Sequence, residues 1–187
     1  SNFFGNQAGN YAAGANNSNF LGTYAGGANY NTLTYHYTNI NANNSNFIGS
    51  YAGLGATDAV NSNFFGQGAG QIIPYVYDAG YGNYYIPKNS YASGSNFFGY
   101  QAGYVNPGGG GDSVGGSINV YSAFSNFFGW KAGYQANYAN NSIFIGYNAG
   151  SGSTVNNAGG KSSILIGDYT NTSYSDSISI GKGTSNS

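Results

Sequence analysis

A Ser/His/Asp hydrolase site would need the single histidine, His36, as its base and one of five aspartates to orient it. His36 lies between Tyr35 and Tyr37, and the sequence shows no nucleophile elbow. We therefore predict that the chain has no catalytic residues and is not an enzyme. The aspartates considered are Asp58, Asp78, Asp112, Asp168 and Asp176.

Metal and phosphate chemistry is equally poorly supported. The glycine-rich segment 108–116 is similar to a calcium-binding nonapeptide, but it holds one aspartate, Asp112, and has no second copy, which favours a flexible loop. Residues 181–184 (Gly-Lys-Gly-Thr) lack the spacing of a phosphate-binding loop. The chain has no cysteine, so a zinc-thiolate site and disulfides are excluded. We predict no cofactor and no metal.

Composition limits the partners. The chain of 187 residues has four basic and five acidic side chains and a net charge of −1, so nothing favours nucleic acid or an anionic membrane. No apolar run approaches the roughly 18 residues that span a bilayer, and we predict no membrane insertion. Because the sequence begins inside a repeat and without methionine, we expect a mature product or part of a longer chain.

A short motif with the consensus Ser-Asn-Phe-(Phe/Ile/Leu)-Gly has nine copies, the last three with Ile in place of Asn, and we number its residues as positions 1 to 5. Ala-Gly follows at positions 8 and 9 in the first seven copies. The spacings between copies are 17, 27, 17, 33, 30, 17, 21 and 14, so the basic period is 17. The position 5 glycines are Gly5, Gly22, Gly49, Gly66, Gly99, Gly129, Gly146, Gly167 and Gly181.

Each copy predicts a strand over positions 1 to 4, a glycine bend, a second short strand through the alanines, and an asparagine turn. The unit is too short for a βαβ crossover and fits one coil of a stack. We predict an all-β fold, a parallel β-solenoid (β-roll) of about nine coils, as a single domain over 1–187. The Gly/Asn/Ser/Tyr composition also suits a disordered prion-like segment, but such a segment need not keep Phe and Gly at constant offsets.

Successive side chains of a strand point to opposite faces of the sheet, so the motif positions can be assigned to the inner or the outer face. Positions 2 and 4 are both Ile in the last three copies, so we predict that they point inward. This makes the position 2 asparagines an interior ladder: Asn2, Asn19, Asn46, Asn63, Asn96 and Asn126. Position 3 would then face outward as an oligomer interface: Phe3, Phe20, Phe47, Phe64, Phe97, Phe127, Phe144 and Leu165. The alternative is that glycine bends let both aromatic positions point inward around a corner.

Insertions lengthen the second half of several copies, near 27–43, 71–93, 104–123 and 151–161. Their position predicts loops on one side of the solenoid, where repeat proteins carry binding surfaces. Residues 32–37 and 117–121 alternate well enough to predict extra strands. The possible ligand or inter-subunit contacts in these loops are Tyr35, Tyr37, Tyr75, Tyr77, Tyr84, Tyr85 and Tyr91.

The segment 142–150, Ser-Ile-Phe-Ile-Gly-Tyr-Asn-Ala-Gly, resembles the short repeats of phage tail-fibre-like and bacterial surface fibre proteins. Segment 177–181, Ser-Ile-Ser-Ile-Gly, is similar to the head repeats of trimeric autotransporter adhesins. These resemblances imply a left-handed parallel β-roll, three chains side by side, and a role in adhesion or fibre building. The chain departs from them through Asn at position 2, the period of 17 and the long insertions.

The function predicted is a structural subunit of an extracellular fibre or filament, built by stacked coils and by burial of an aromatic stripe between chains. The partner would be the chain itself, as a homotrimer or an end-to-end filament. The alternative is an adhesin or tail-fibre module that binds a glycan or host surface through the Tyr-rich loops. In either case the expected location is extracellular, at a cell surface or in a virion fibre.

Overall fold

The structure is a computed structural model that describes residues 1–10, 12, 14–27, 41–56, 58–71, 76–78, 83–85, 90–104, 120–134, 136, 139–151, 162–172 and 176–186. The described residues form strands and turns without a helix, and so none that could cross a membrane. Each motif copy forms one strand, and copies 1 to 9 define coils 1 to 9. Their strands are β1 (Asn2–Phe4), β2 (Asn19–Leu21), β3 (Asn46–Ile48), β4 (Asn63–Phe65), β8 (Asn96–Phe98), β10 (Asn126–Phe128), β11 (Ile143–Ile145), β12 (Ile164–Ile166) and β14 (Ile178–Ile180).

These nine strands make one parallel sheet in coil order. Each motif position pairs with the same position of the next coil, as Asn2 with Asn19 and Asn126 with Ile143. The register is kept whether the equivalent residues are 14 or 33 positions apart in sequence. The prediction of an all-β parallel solenoid of about nine coils is therefore confirmed.

Serine at position 1 and phenylalanine at position 3 form the interior of the sheet. Ser95, Ser125 and Ser142 are fully buried, and so are Phe64, Phe127 and most of their equivalents. The phenyl rings form a stack along the solenoid, with centroids 4.8 Å apart between Phe64 and Phe97 and 4.7 Å apart between Phe127 and Phe144. Positions 1 and 3 share one face of the strand because side chains alternate.

This arrangement corrects the predicted faces. The position 3 side chains point inward, and only in coil 1 is this ring substantially exposed, at 48% for Phe3. Positions 2 and 4 point outward, the reverse of the prediction, because the buried face also holds serine and the small alanines. The predicted outward stripe of Phe3, Phe20, Phe47, Phe64, Phe97, Phe127, Phe144 and Leu165 is thus the core of a single chain.

Position 8 completes the core opposite the phenylalanine stack. Alanine occupies it in coils 1 to 7, and Ala25, Ala102 and Ala132 are fully buried. In coil 8 it is Thr170, which is also buried, and the Thr170 carbonyl accepts the Gly150 N–H at 2.7 Å as the alanine carbonyls do in earlier coils. The last two coils therefore keep the solenoid path although the Ala-Gly pair is absent from their sequence.

Position 5 is glycine in all nine coils, and in coils 1 to 8 a close backbone approach by the next coil requires it. At Gly49 φ is +127°, and a Cβ there would lie 2.6 Å from the carbonyl oxygen of Gly66 in the next coil. A side chain would force adjacent coils apart. The next residues form a turn in the described coils, and not the predicted second strand, which occurs only as β13 (Asn171–Thr172) paired with β15 (Ser185–Asn186).

Within the residues that the structure describes, the insertions carry four further strands. β5 (Val76–Asp78) and β6 (Asn83–Tyr85) form an antiparallel pair separate from the nine-stranded sheet. β7 (Ser90–Tyr91) and β9 (Val120–Tyr121) pair in parallel across neighbouring coils. The strand predicted within 117–121 is thus present at 120–121, whereas 32–37 lies outside the described residues.

Candidate functional site

The outward face of the sheet consists of two columns of side chains, at positions 2 and 4. We call this surface the outer face. It is continuous over nine coils because the strands are in register. Neither column contains a charged residue in any coil.

The position 2 column begins with a ladder of six asparagines. In each step Nδ2 of one coil donates to Oδ1 of the next, at 2.8 Å from Asn2 to Asn19 and 2.9 Å from Asn96 to Asn126. The predicted ladder exists, but its predicted interior position is wrong. Asn2 is exposed and the other five are partly buried on the outer face. Their remaining hydrogen-bonding capacity therefore faces the surroundings of the chain.

The position 4 column is apolar in all coils. Phe128 is 38% exposed and Ile145 is 39% exposed, and exposure rises to 65% at both Phe4 and Ile180. Where three phenylalanines follow one another the rings stack, with centroid distances of 4.8 and 5.1 Å. The complete column is Phe4, Leu21, Ile48, Phe65, Phe98, Phe128, Ile145, Ile166 and Ile180.

In coils 7 to 9 position 2 is isoleucine as well, so both columns become apolar. We call these six residues the Ile patch: Ile143, Ile145, Ile164, Ile166, Ile178 and Ile180. Ile178 is 64% exposed, and the other two at position 2 are partly exposed. The outer face thus has a zone bordered by amides in coils 1 to 6 and a wholly apolar zone in coils 7 to 9. Of the isoleucines that indicated a buried face, three are exposed and the other three, Ile143, Ile164 and Ile166, are partly exposed.

A second exposed aromatic column follows the glycine bend, at position 6. The ring of Tyr100 stacks on that of Trp130 at 4.2 Å, and Trp130 lies 6.4 Å from Tyr147. Tyr169, at position 7 of coil 8, contacts Tyr147 edge to face at 5.3 Å. The hydrogen bond with Tyr169 is the main cause that raises the pKa of the Tyr147 phenol. Tyr100 and Trp130 cover each other's ring faces, whereas Trp130 and Tyr147 remain 47% and 43% exposed.

Buried serine hydroxyls form a third ladder, which sequence reasoning missed. The Ser95 hydroxyl donates to the Ser122 carbonyl of the next coil at 2.6 Å and accepts the Ser125 N–H at 3.1 Å. Ser62 makes the equivalent bonds to Ala92 and Ser95. Each hydroxyl thereby forms hydrogen bonds with two backbone groups, one N–H and one carbonyl, that the sheet ladder does not pair. The available signal was that position 1 is serine in all nine copies.

The predicted loop contacts are only partly described. Tyr77, Tyr84, Tyr85 and Tyr91 lie in strands β5, β6 and β7. Tyr35, Tyr37 and Tyr75 lie outside the described residues, as do His36 and Asp112. Within the described part of the chain, no three His, Cys, Asp or Glu side chains are grouped so that they could hold a metal ion.

What the outer face offers is contact area. Its outer face combines an uncharged apolar column with an amide ladder already bonded along the axis. No protein-family model matches the chain, and no curated protein or solved structure matches it either. The repeating parallel sheet with its asparagine and aromatic ladders is compatible with a structural repeat protein.

Proposed function

We propose that the chain is a structural subunit of an extracellular fibre or filament and has no enzymatic role. The observation that supports this most directly is the uninterrupted stacking of nine coils in one register. Three ladders run along the sheet, made of the position 1 serines in all nine coils, the stacked phenylalanines of coils 1 to 7 and the surface asparagines of coils 1 to 6. A stack joined in this way resists bending, which is what a fibre subunit requires.

The exposed position 4 column supports a contact between chains. Nine strands about 4.8 Å apart give a column about 40 Å long and, at about 10 Å width, about 400 Å² of apolar surface. That is close to the largest apolar patch found on typical soluble monomers. The aromatic stripe proposed between chains is therefore the position 4 column, in place of the buried position 3 phenylalanines.

The experiment that tests this function is the solution mass of residues 1–187 combined with negative-stain images of the same sample. Rods or filaments with a mass above that of one chain are expected. A monodisperse single chain at all concentrations, without rods in the images, would contradict the proposal.

The adhesin alternative is supported by one observation, the antiparallel β5–β6 pair that is separate from the main sheet. A test deletes 72–89 and keeps Ser90 and Tyr91, since these pair with Val120 and Tyr121. Loss of glycan or cell-surface binding with assembly retained would favour recognition by this insertion. Loss of assembly would favour a structural role for it.

A further inference from the structure

We infer that Tyr24 and Tyr51 form an oxidative modification site, at which a dityrosine link joins coil 2 to coil 3 within one chain. The link is a carbon–carbon bond between one ortho carbon of each phenol ring. It closes the stretch of chain between the two tyrosines, which contains the insertion near 27–43. This covalent bond goes beyond the proposed structural function and can be tested on chains that are not associated.

The register of the solenoid holds the two rings face to face. Their centroids are 5.4 Å apart and their planes differ by 6°. Both tyrosines occupy position 7, and the Tyr51 N–H donates to the Thr23 carbonyl of coil 2 at 2.8 Å. Coil 4 has Gly68 at this position and places no side chain there, so the Tyr51 ring has room to turn. Rotation of both parallel rings about their Cβ–Cγ bonds brings their ortho edges towards each other.

Tyrosine pairs occur where the chain between two coils is long. The three pairs found among the described residues join coils 2 and 3, coils 5 and 6, and coils 7 and 8. The motif spacings there are 27, 30 and 21, whereas the described residues contain no such pair at spacings of 17 or 14. The junction with a spacing of 33 has no tyrosine at positions 6 to 10 of coil 4. A covalent link constrains the unfolded chain more when it closes a longer loop, so these junctions are where it stabilises most.

Composition directs oxidation to tyrosine. The chain has 20 tyrosines and one tryptophan, but neither cysteine nor methionine. The thiol and thioether groups that oxidants readily attack are therefore missing, and no disulfide can join the coils. Tyrosine is the side chain through which an oxidant can link one coil of this chain to the next.

The reaction balances with one class of oxidant, hydrogen peroxide used by a haem peroxidase. Each phenol loses one electron and its hydroxyl proton, and the two phenoxyl radicals couple through an ortho carbon of each ring. The hydrogen on each coupled carbon then moves to the phenol oxygen, which restores both aromatic rings. The linked chain has lost two hydrogen atoms in total. Hydrogen peroxide takes up the two electrons and two protons and becomes two water molecules.

Of the three pairs, the one formed by Tyr24 and Tyr51 is best arranged for this coupling. Tyr51 is 37% exposed, whereas Tyr104 in the pair between coils 5 and 6 is only 7% exposed and is sheltered from an oxidant. In the pair between coils 7 and 8 the rings cross at 60°, and the Trp130 indole lies 6.4 Å from Tyr147 as a competing partner.

The experiment oxidises dilute chains of residues 1–187 with photogenerated tris(bipyridine)ruthenium(III), a small one-electron oxidant. The expected product is a monomer with dityrosine fluorescence, a mass lower by two hydrogen atoms, and a cross-linked peptide that contains Tyr24 and Tyr51. Tyr51→Phe keeps the ring but removes the phenol, and should lower the fluorescence of the monomer at least twofold. The matched control is Tyr100→Phe, at a half-buried tyrosine that stacks on Trp130, and it should leave the fluorescence nearly unchanged.

The same reaction in concentrated urea separates the folded geometry from the mere abundance of tyrosine. The peptide that joins Tyr24 to Tyr51 should be at least tenfold more abundant from the folded chain than from the unfolded one. The linked chain should unfold at higher urea concentration, because closing this loop shifts the folding equilibrium by about a hundredfold or more. Equal yields from folded and unfolded chains, links between chains only, or equal effects of the two variants would overturn the assignment of this site.

Discussion

Phe127 and Phe128 are neighbours in strand β10, yet Phe127 is completely buried and Phe128 is 38% exposed. The Phe127 ring lies between those of Phe97 and Phe144, at 4.8 and 4.7 Å. The Phe128 ring stacks on Phe98 at 5.1 Å on the outer face. Two residues of the same type thus have separate tasks, one in the core of the chain and one in the surface available to a partner.

Replacing these residues one at a time should separate the two tasks. Phe127→Ala removes a ring from the core and should lower the free energy of unfolding by about 3–5 kcal/mol. Phe128→Ala removes a partly exposed ring and should cost about 1 kcal/mol or less under conditions where the chain is not associated. Urea unfolding at low protein concentration measures both. Equal losses would mean that the two faces are not distinguished in solution.

The serine ladder predicts a large effect from the loss of one oxygen atom. Ser95→Ala leaves the Ser125 N–H and the Ser122 carbonyl without their hydroxyl partner, and should cost about 1–3 kcal/mol. Ser50→Ala at the partly exposed position 6 is the control and should change the stability by less than about 0.5 kcal/mol. Thermal unfolding of both variants provides the comparison. If Ser95→Ala left the stability unchanged, this would show that water replaces the hydroxyl.

The glycine bend should tolerate no side chain. Gly49→Ala would bring its Cβ to 2.6 Å from the Gly66 carbonyl oxygen, and we expect a loss of more than about 3 kcal/mol or failure to fold. Gly68→Ala also has positive φ, +67°, but its nearest neighbour is the flexible Gln71 side chain at 3.1 Å. It should cost only about 1–2 kcal/mol, the strain of a left-handed residue. Circular dichroism and denaturant unfolding measure the fold and stability of both variants. Equal stabilities of Gly49→Ala and Gly68→Ala would contradict this prediction.

Alkaline pH should weaken the fold through Tyr104. Burial, followed by the charges of Tyr134 and Tyr100, raises the pKa of the Tyr104 phenol above its usual value of about 10. Above pH 10 the unfolded chain therefore releases this proton more readily than the folded chain, and stability falls as pH rises. Tyr104→Phe should flatten the decline in stability above about pH 10. Tyr51→Phe is the control, and an unchanged slope for Tyr104→Phe would rule out this explanation.

The solenoid itself was predictable, because nine copies with Ser and Gly four residues apart, seven of them Ser-x-Phe-x-Gly, leave few alternatives to stacked coils. Which face of each strand is buried was not predictable, since positions 3 and 4 are both phenylalanine in several coils and the alternation of side chains does not distinguish them. Ile178 and Ile180 suggested burial, yet both are about 65% exposed. The invariant serine would have resolved the question, because a small hydroxyl with two backbone partners suits a narrow interior. The second strand was overpredicted because the Ala-Gly segment forms a turn, although its position 9 N–H groups bond to the position 8 carbonyls of the next coil.

The spacing between coils has a practical consequence. Asn63 and Asn96 are 33 residues apart and Asn46 and Asn63 are 17 apart, yet the amide bonds are 2.9 and 2.8 Å long. The rise of the solenoid is thus independent of how much chain is stored between two motifs. The chain segment between position 9 of one copy and position 1 of the next is accordingly an insertion site. A foreign peptide of twenty residues or so could be inserted there without changing the length of the rod. Epitopes or enzyme tags placed at several junctions would then be displayed at intervals set by whole numbers of coils.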